Sequence, residues 1–257
     1  MRDSPLKLAK SPIVEAVLDI DCDLPPTFNI ANLETQSRTA FGPEYPKSRA
    51  VYLDEHKIET KLNQPPVYKA IHAIQAIQLL HADEKQLVQF RANGFSFNRL
   101  APYSTLDDYL PDMERAWRLF VSLCSPVQIR LIRLRYINRI LLPLAENGLD
   151  LDSYLEIGPR LPDQETLTFV GFLNQHHVVE KNSGNHANIV LTSEPPQNGM
   201  LPIIFDISAV SVGPVEPENW PKIHTKINEL RNLNNRIFWN MLTKRCLNLF
   251  QQSEPAA

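Results

Sequence analysis

Alternating apolar and polar residues predict two strands of similar design. In residues 14–23 one face carries apolar side chains, and the other carries the acidic residues Glu15, Asp19, Asp21 and Asp23. In residues 130–140 one face carries Ile132, Leu134, Tyr136 and Ile140, and the other carries Arg133, Arg135 and Arg139. Because successive side chains of a strand point to opposite sides, each stretch predicts a strand with one buried and one charged face.

The chain also repeats its order of elements. The motif FGPEYPK at residues 41–47 returns as IGPRLPD at residues 157–163, and the same offset places Leu134 on Leu18 and Tyr136 on Ile20. A helical segment lies between strand and motif in both cases, NIANLETQSRTAF and NGLDLDSYLEI. This agreement predicts two repeated units, residues 1–125 and 126–257.

Each unit continues with strands and ends on a helix. In the first, Asn93-Gly94 predicts a tight hairpin turn, and a cap at Ser104 or Thr105 begins an amphipathic helix. In the second, the strand-like stretches TLTFVGFLNQHHVVE, ANIVLTSEP, LPIIFDI and AVSVG precede a helix from about Glu218 to Phe250. The sequence pattern therefore predicts the order β-α-β-β-β-β-α for both units.

This order predicts the α+β class, with the two units forming an antiparallel sheet that carries its helices on one face. The element order is analogous to that of the duplicated, saddle-shaped TATA-box-binding protein fold. The analogy concerns architecture and carries no DNA binding with it. The second face of such a sheet is exposed to water or to a partner.

The arginines of the second strand have two interpretations. If the two charged strands pair at the centre of the sheet, the arginines meet the carboxylates of the first strand and hold the halves in register. Alternatively, the open face is an anion site, because guanidinium groups bind phosphates and carboxylates well. The candidate residues for that site, and for contact with a partner, are Arg91, Arg99, Arg133, Arg135 and Arg139.

The composition excludes several classes of protein. With 257 residues and 43% hydrophobic residues the chain can bury a sizeable core, and a net charge of −3 gives no overall attraction to nucleic acid. Three distant cysteines argue against a disulfide framework and favour the cytoplasm. The sequence contains no long apolar run typical of a signal peptide or membrane span, so a membrane association is not expected.

No motif for catalysis, metal binding or cofactor binding is recognisable. The eight glycines form no phosphate-binding loop or serine elbow, so we expect no cofactor and assign no catalytic residue. His176, His177 and His186 lack the spacing of a metal site, and no metal is expected. Phe95, Phe97 and Tyr103 could stack on bases, although packing in the core is the simpler interpretation.

The C-terminal helix carries more apolar residues than one buried stripe requires. At about 33 residues it would be roughly 50 Å long, longer than the sheet can cover. Its excess apolar residues are candidates for an interface with a protein partner or a second copy: Phe238, Trp239, Leu242, Leu247 and Phe250. The alternative is a break near Asn234-Asn235 that folds the segment back into its own domain.

Four stretches carry a resemblance to a known family: SPIVEAVLDIDCDLP, VQFRANGFSFNRLAPY, LRYINRI and NELRNLNNRIFWNMLT. Together they resemble an uncharacterised, sporadically distributed prokaryotic protein family of similar length. The resemblance implies a protein of a mobile, defence or toxin-antitoxin type module and assigns no catalytic residues. We therefore expect a non-enzymatic binding protein that recognises a protein partner, with nucleic-acid or nucleotide binding through the arginine-bearing face as the alternative.

Overall fold

The structure is a computed structural model that describes residues 8, 10–59, 67–144, 150–160, 163, 166–167 and 169–251. The described strands are β1 (Ile13–Asp23), β2 (Lys47–Glu59), β3 (Val67–Leu80), β4 (Gln86–Arg91), β5 (Gly94–Leu100), β6 (Gln128–Pro143), β7 (Leu173–Val179), β8 (His186–Ser193) and β9 (Met200–Val215). The described α-helices are α1 (Leu33–Phe41), α2 (Leu106–Cys124), α3 (Trp220–Met241) and α4 (Lys244–Asn248). Within these residues no helix is long and apolar enough to cross a membrane.

The described strands form one antiparallel sheet in the order β2-β3-β4-β5-β1-β6-β9-β8-β7. The two charged strands, β1 and β6, lie side by side in its interior. Leu18 faces Leu134 and Ile20 faces Ile132 across this pair, and all four side chains are buried. The predicted α+β class and antiparallel sheet are confirmed.

The helices cover the face to which these apolar side chains point. α1, α2 and the first part of α3 pack with the strands in one apolar cluster, and the end of α3 packs with α4 in a second cluster over β8 and β9. The first cluster contains residues from both sides of position 125, such as Phe120 and Ile223. The two halves of the chain therefore share a core.

The hairpin at Asn93-Gly94 forms, but its two central residues are Ala92 and Asn93. Gly94 is the first residue of β5, opposite Asp21 of β1. A Cβ atom on Gly94 would lie 2.1 Å from the carbonyl oxygen of Ile20, so only glycine fits. The glycine thus permits the close approach of β5 to β1 rather than the turn itself.

The second half differs from its predicted order in two respects. Its described residues contain three strands after β6, because the stretches LPIIFDI and AVSVG join into the single strand β9. Asp206 and Ser208 continue the period-two alternation across the junction, so nothing ends the strand there. The predicted helix NGLDLDSYLEI contains a short 3₁₀ turn, Leu151–Ser153, while residues 147–149 of that prediction lie outside the described part.

The C-terminal helix is shorter than predicted and breaks later than the alternative proposed. α3 continues through Asn234, whose side-chain amide donates to the carbonyl oxygen of Leu134 at 2.9 Å. The break lies at Leu242–Thr243, where Leu242 is extended and the Thr243 hydroxyl accepts from the Cys246 N–H as the cap of α4. A threonine cap favours a new helix start at this point.

The hairpin of β2 and β3 extends beyond the rest of the sheet. β4 pairs only with Ala76–Leu80 of β3, whereas β2 follows β3 to its far end. Tyr52–Glu59 paired with Val67–Ile74 therefore forms a two-stranded ribbon, about 27 Å long at 3.4 Å per residue. We refer to these two segments as the ribbon.

Candidate functional site

The open face of the sheet is the side opposite the helices, and its polar side chains follow from strand alternation. On β1, Ala16, Leu18 and Ile20 point to the core, so Asp19 and Asp21 point to the open face. The same rule directs alternate residues of β4, β5, β6 and β9 to this face. The face combines charged and amide side chains with apolar ones such as Ile137 and Ile204, which pair with Asp206 and Arg139.

Asp19 lies at the centre of the first group of contacts. It faces Arg133 across the β1–β6 pair, with 3.4 Å between the guanidinium Nη1 and the carboxylate, and it accepts a hydrogen bond from the Ser96 hydroxyl at 2.5 Å. Arg91 donates to Asp21 at 2.6 Å and lies 3.9 Å from Asp19. The carboxylates of β1 thus bind arginines from both sides, Arg91 of β4 beyond β5 and Arg133 of the adjacent β6.

Arg135 forms the most complete ion pair of the face. Its Nε and Nη2 atoms donate to both carboxylate oxygens of Asp206 on β9, at 2.8, 3.1 and 2.5 Å. This hydrogen bond is the main cause that raises the pKa of the Arg135 guanidinium, against the opposing effect of burial. Arg139 similarly donates to Glu194 at 2.8 Å.

The repeat offset matched Arg135 with Asp19, but the strands do not place these residues opposite each other. Antiparallel strands run in opposite directions, so Asp19 faces Arg133 and Arg135 faces Val17. The interpretation that arginines meet carboxylates across the strands is supported by the geometry, although the partners of Arg135 and Arg139 come from outside β1.

A row of side-chain amides extends the polar network toward β2. Arg49 donates to Gln78 at 2.6 Å, Gln78 to Gln89 at 2.8 Å, Gln89 to Asn98 at 3.1 Å, and Asn98 to Glu15 at 2.7 Å. The row crosses five neighbouring strands. The sequence prediction does not include this row, although amides at alternate positions of predicted strands are a signal for it.

Arg99 lies apart from the other arginines. It pairs with Asp83 at 2.6 Å, and its guanidinium lies 5.0 Å from the centre of the Tyr109 ring in α2. This places Arg99 on the helix-covered side. Period-two alternation could have shown this, because Phe95 and Phe97 on the same phase of β5 are fully buried in the core.

Packing accounts for the aromatic candidate Phe95, and the histidine candidates lie apart on the strand. Phe95 lies 5.6 Å from Trp117 and 5.7 Å from Phe120, beneath α2 rather than on the open face. His176 and His177 point to opposite sides of β7, as adjacent strand residues must. Within the described residues no group of three or more His, Cys, Asp or Glu side chains could hold a metal ion.

The apolar residues of the C-terminal segment lie in the second core cluster. Phe238 stacks on Phe205 with 5.8 Å between ring centres, and Leu242 is 1% exposed. The other residues of this group that pack there are Trp239, Leu247 and Phe250. The turn at Leu242–Thr243 folds these residues against β8 and β9, with Trp239 partly buried.

The ribbon carries a group of exposed apolar side chains that the sequence pattern does not predict. Tyr52 and Ile58 are 52% and 62% exposed on one face, and Leu53 and Ile71 are each 44% exposed on the other. Tyr52 stacks on His72 with 4.8 Å between ring centres, and His72 contacts Asp54 at 2.5 Å. Period-two alternation does not predict this exposure, because the exposure results from β4 pairing with only the last part of β3.

Comparison with known proteins adds no relative from which a role could be transferred: no protein-family model matches the chain, and no curated protein matches it.

Proposed function

We propose that the protein is a binding protein that recognises a protein partner through the ribbon of β2 and β3. The observation that carries the proposal is the exposure of Tyr52, Leu53, Ile58 and Ile71 on a segment that projects from the sheet. An isolated two-stranded hairpin is marginally stable in water. A partner that covers both faces of the ribbon would supply the missing apolar contacts.

The charges of the open face favour a protein over a nucleic acid. The arginines of β4 and β6 pair with carboxylates of the same chain: Arg91 with Asp21, Arg130 with Asp23, Arg133 with Asp19, Arg135 with Asp206, and Arg139 with Glu194. A phosphate bound to these arginines would lie beside five carboxylates, which repel it. Nucleic-acid or nucleotide binding remains the second candidate, supported by the presence of these arginines on one open face.

The resemblance to a sporadically distributed prokaryotic family supports the partner-recognition component of a mobile defence or toxin-antitoxin type module as the setting for this protein. The proposal requires no cofactor and no catalytic residue. In such a module the gene of the partner would lie near the gene of this protein.

We further propose that the two halves derive from one duplicated unit. The sheet order supports this: β5, β4 and β3 follow β1 outward on one side, and β9, β8 and β7 follow β6 on the other. α2 follows β5 as α3 follows β9. The saddle of the TATA-box-binding protein fold is the architectural analogy for such a pair of units, and β2 would be an addition to the first.

Site-specific photo-crosslinking in the native host tests the binding proposal. A photoreactive residue replaces Ile58 or Ile71, and a matched control replaces Val127, which is 65% exposed immediately before β6. The proposal predicts one protein adduct common to the two ribbon positions and absent from the control. Adducts that are the same at all three positions, or none at the ribbon, would reject it.

A further inference from the structure

The two outer strands of the sheet differ in how they are protected against pairing with another chain. β2 has a bulge between Val51 and Tyr52 and carries charged residues such as Arg49 and Asp54. β7, with the sequence LNQHHVV, has no bulge, no proline and no lysine, arginine or carboxylate. Bulges and charges are the usual protection of an edge strand, so β7 is the edge that can accept another strand.

The backbone of β7 fixes which residues are free to pair outward. The Ser193 N–H donates to the Phe172 carbonyl, and the Glu180 N–H donates to the Asn185 carbonyl. Since inward and outward positions alternate, Leu173, Gln175, His177 and Val179 direct their backbone groups away from β8. Within the described residues no strand or backbone hydrogen bond occupies this outer edge.

The side chains of β7 are complementary to a second, antiparallel copy of themselves. If a twofold axis passes at His176, Leu173 faces Val179 of the second copy, and Gln175 faces His177 of the second copy. Leu173 is 69% and Val179 is 57% exposed, and the pairing would form two Leu173–Val179 contacts, related by the twofold axis. All four outward positions then pair with outward positions, which gives full overlap of the strand.

We propose that β7 pairs with β7 of a second copy to form a twofold symmetric dimer whose sheet continues through both chains. The interface uses backbone hydrogen bonds at the outward positions and the two Leu173–Val179 contacts. β7 and the ribbon lie at opposite ends of the strand order, so the dimer leaves both ribbons free. The proposal therefore stands independently of the partner bound by the ribbon.

Light scattering and sedimentation of the full chain test the dimer. We expect a concentration-dependent mass that approaches twice that of one chain. His177→Pro removes an outward N–H without removing a bond to β8, and Val179→Lys places a charge at the interface. Because each substitution is present in both copies, we expect each to weaken dimerisation by about tenfold or more. The melting temperature should equal that of the wild type at concentrations where both proteins are monomeric.

Val127→Lys is the control for an added surface charge, and it should leave the mass unchanged. A wild-type chain that stays monomeric at all concentrations, or a Val179→Lys variant that dimerises like the wild type, would overturn the proposal.

Cysteine pairing tests the register separately. His176→Cys places two thiols opposite each other on the axis, where non-hydrogen-bonded Cα atoms are about 4.5 Å apart, within the range of a disulfide. Asn174→Cys faces Val178 of the second copy and should not form this bond. Intermolecular disulfide formation by His176→Cys alone supports the register, and formation by both variants or by Asn174→Cys alone contradicts it.

Discussion

Asp19 on β1 and Arg133 on β6 lie directly opposite each other at the centre of the sheet and form an ion pair at 3.4 Å. One residue comes from the acidic strand of the first half and the other from the basic strand of the second. Both are partly withdrawn from water, with 17% and 34% of their side chains exposed. The pair therefore joins the first half of the chain to the second across the β1–β6 pair.

Removing one member of this pair should destabilise the fold. We expect Asp19→Ala to lower the free energy of unfolding by about 1–3 kcal/mol, because Arg133 and Ser96 each lose a partner in a partly desolvated site. Chemical denaturation of wild-type and variant proteins measures the effect. A change smaller than the experimental error would show that the pair does not contribute to stability.

Arg135 should be energetically coupled to Asp206 rather than to Asp19. A double-mutant cycle of Arg135→Ala with Asp206→Ala should give a coupling energy of about 1–2 kcal/mol, reduced by the partial exposure of Arg135. The matched cycle of Arg135→Ala with Asp19→Ala serves as the control, since these residues are not opposed. Equal coupling in the two cycles would contradict the observed register.

The central strands were predictable because alternation is a local property. Leu18 and Leu134 reveal their buried faces in the sequence, and the same phase places Asp19 and Arg133 on the open face. The ion-pair partners of these charged residues were harder to predict. An offset between repeats aligns equivalent residues, but it does not tell which residues face each other in an antiparallel pair. Arg135 shows this most clearly, because its partner Asp206 comes from a third strand.

The exposed ribbon and the end of α3 could not be derived from local patterns. The ribbon projects because β4 pairs with only five residues of β3, which is a property of the assembled sheet. The apolar residues around Phe238 suggested an interface, but the cap at Thr243 turns α4 back and buries them. In both cases exposure depends on where a neighbouring element ends.

Phe250 should behave as a core residue. Its side chain is 7% exposed and lies 6.2 Å from Phe238, so Phe250→Ala should lower the free energy of unfolding by about 3–5 kcal/mol. Val127→Ala, at a highly exposed position, is the control and should have little effect. A stable Phe250→Ala variant with an altered oligomeric mass would instead support an interface at this segment.

The buried cysteines should make stability fall at alkaline pH. Burial raises the pKa of the Cys22, Cys124 and Cys246 thiols to about 12 from an ordinary value of 9.0. Above pH 9 the unfolded chain releases these protons while the folded chain retains them. Stability should therefore decrease as pH rises from 9 toward 12, by about 1.4 kcal/mol per pH unit for each thiol.

Denaturant unfolding at several pH values above 8, under reducing conditions, measures this dependence. Cys246→Ala should reduce the slope by the share of one thiol, although the cavity lowers stability at every pH. A slope identical to that of the wild type would mean that Cys246 ionises equally in both states.

Removing the carboxylate charges that pair with the open-face arginines should create an anion site. The triple variant Asp19→Asn, Asp21→Asn, Asp206→Asn keeps hydrogen-bonding side chains of similar size but removes the charges that face Arg91, Arg133 and Arg135. We expect it to bind single-stranded oligonucleotides more tightly than the wild type, with an affinity that falls as salt rises. A folded variant that binds no better would show that the carboxylates do not control access to the arginines.

The most direct test of the account is the salt dependence of oligonucleotide binding by the wild-type chain, measured by titration at about 50 mM and about 200 mM salt. Because the arginines of the open face are paired within the chain, we predict no binding that depends on salt. Four arginines that contact phosphates would instead give a slope of about 3 to 4 in log Kd against log salt concentration. A slope of that size would contradict the internal use of the arginines and favour nucleic-acid binding.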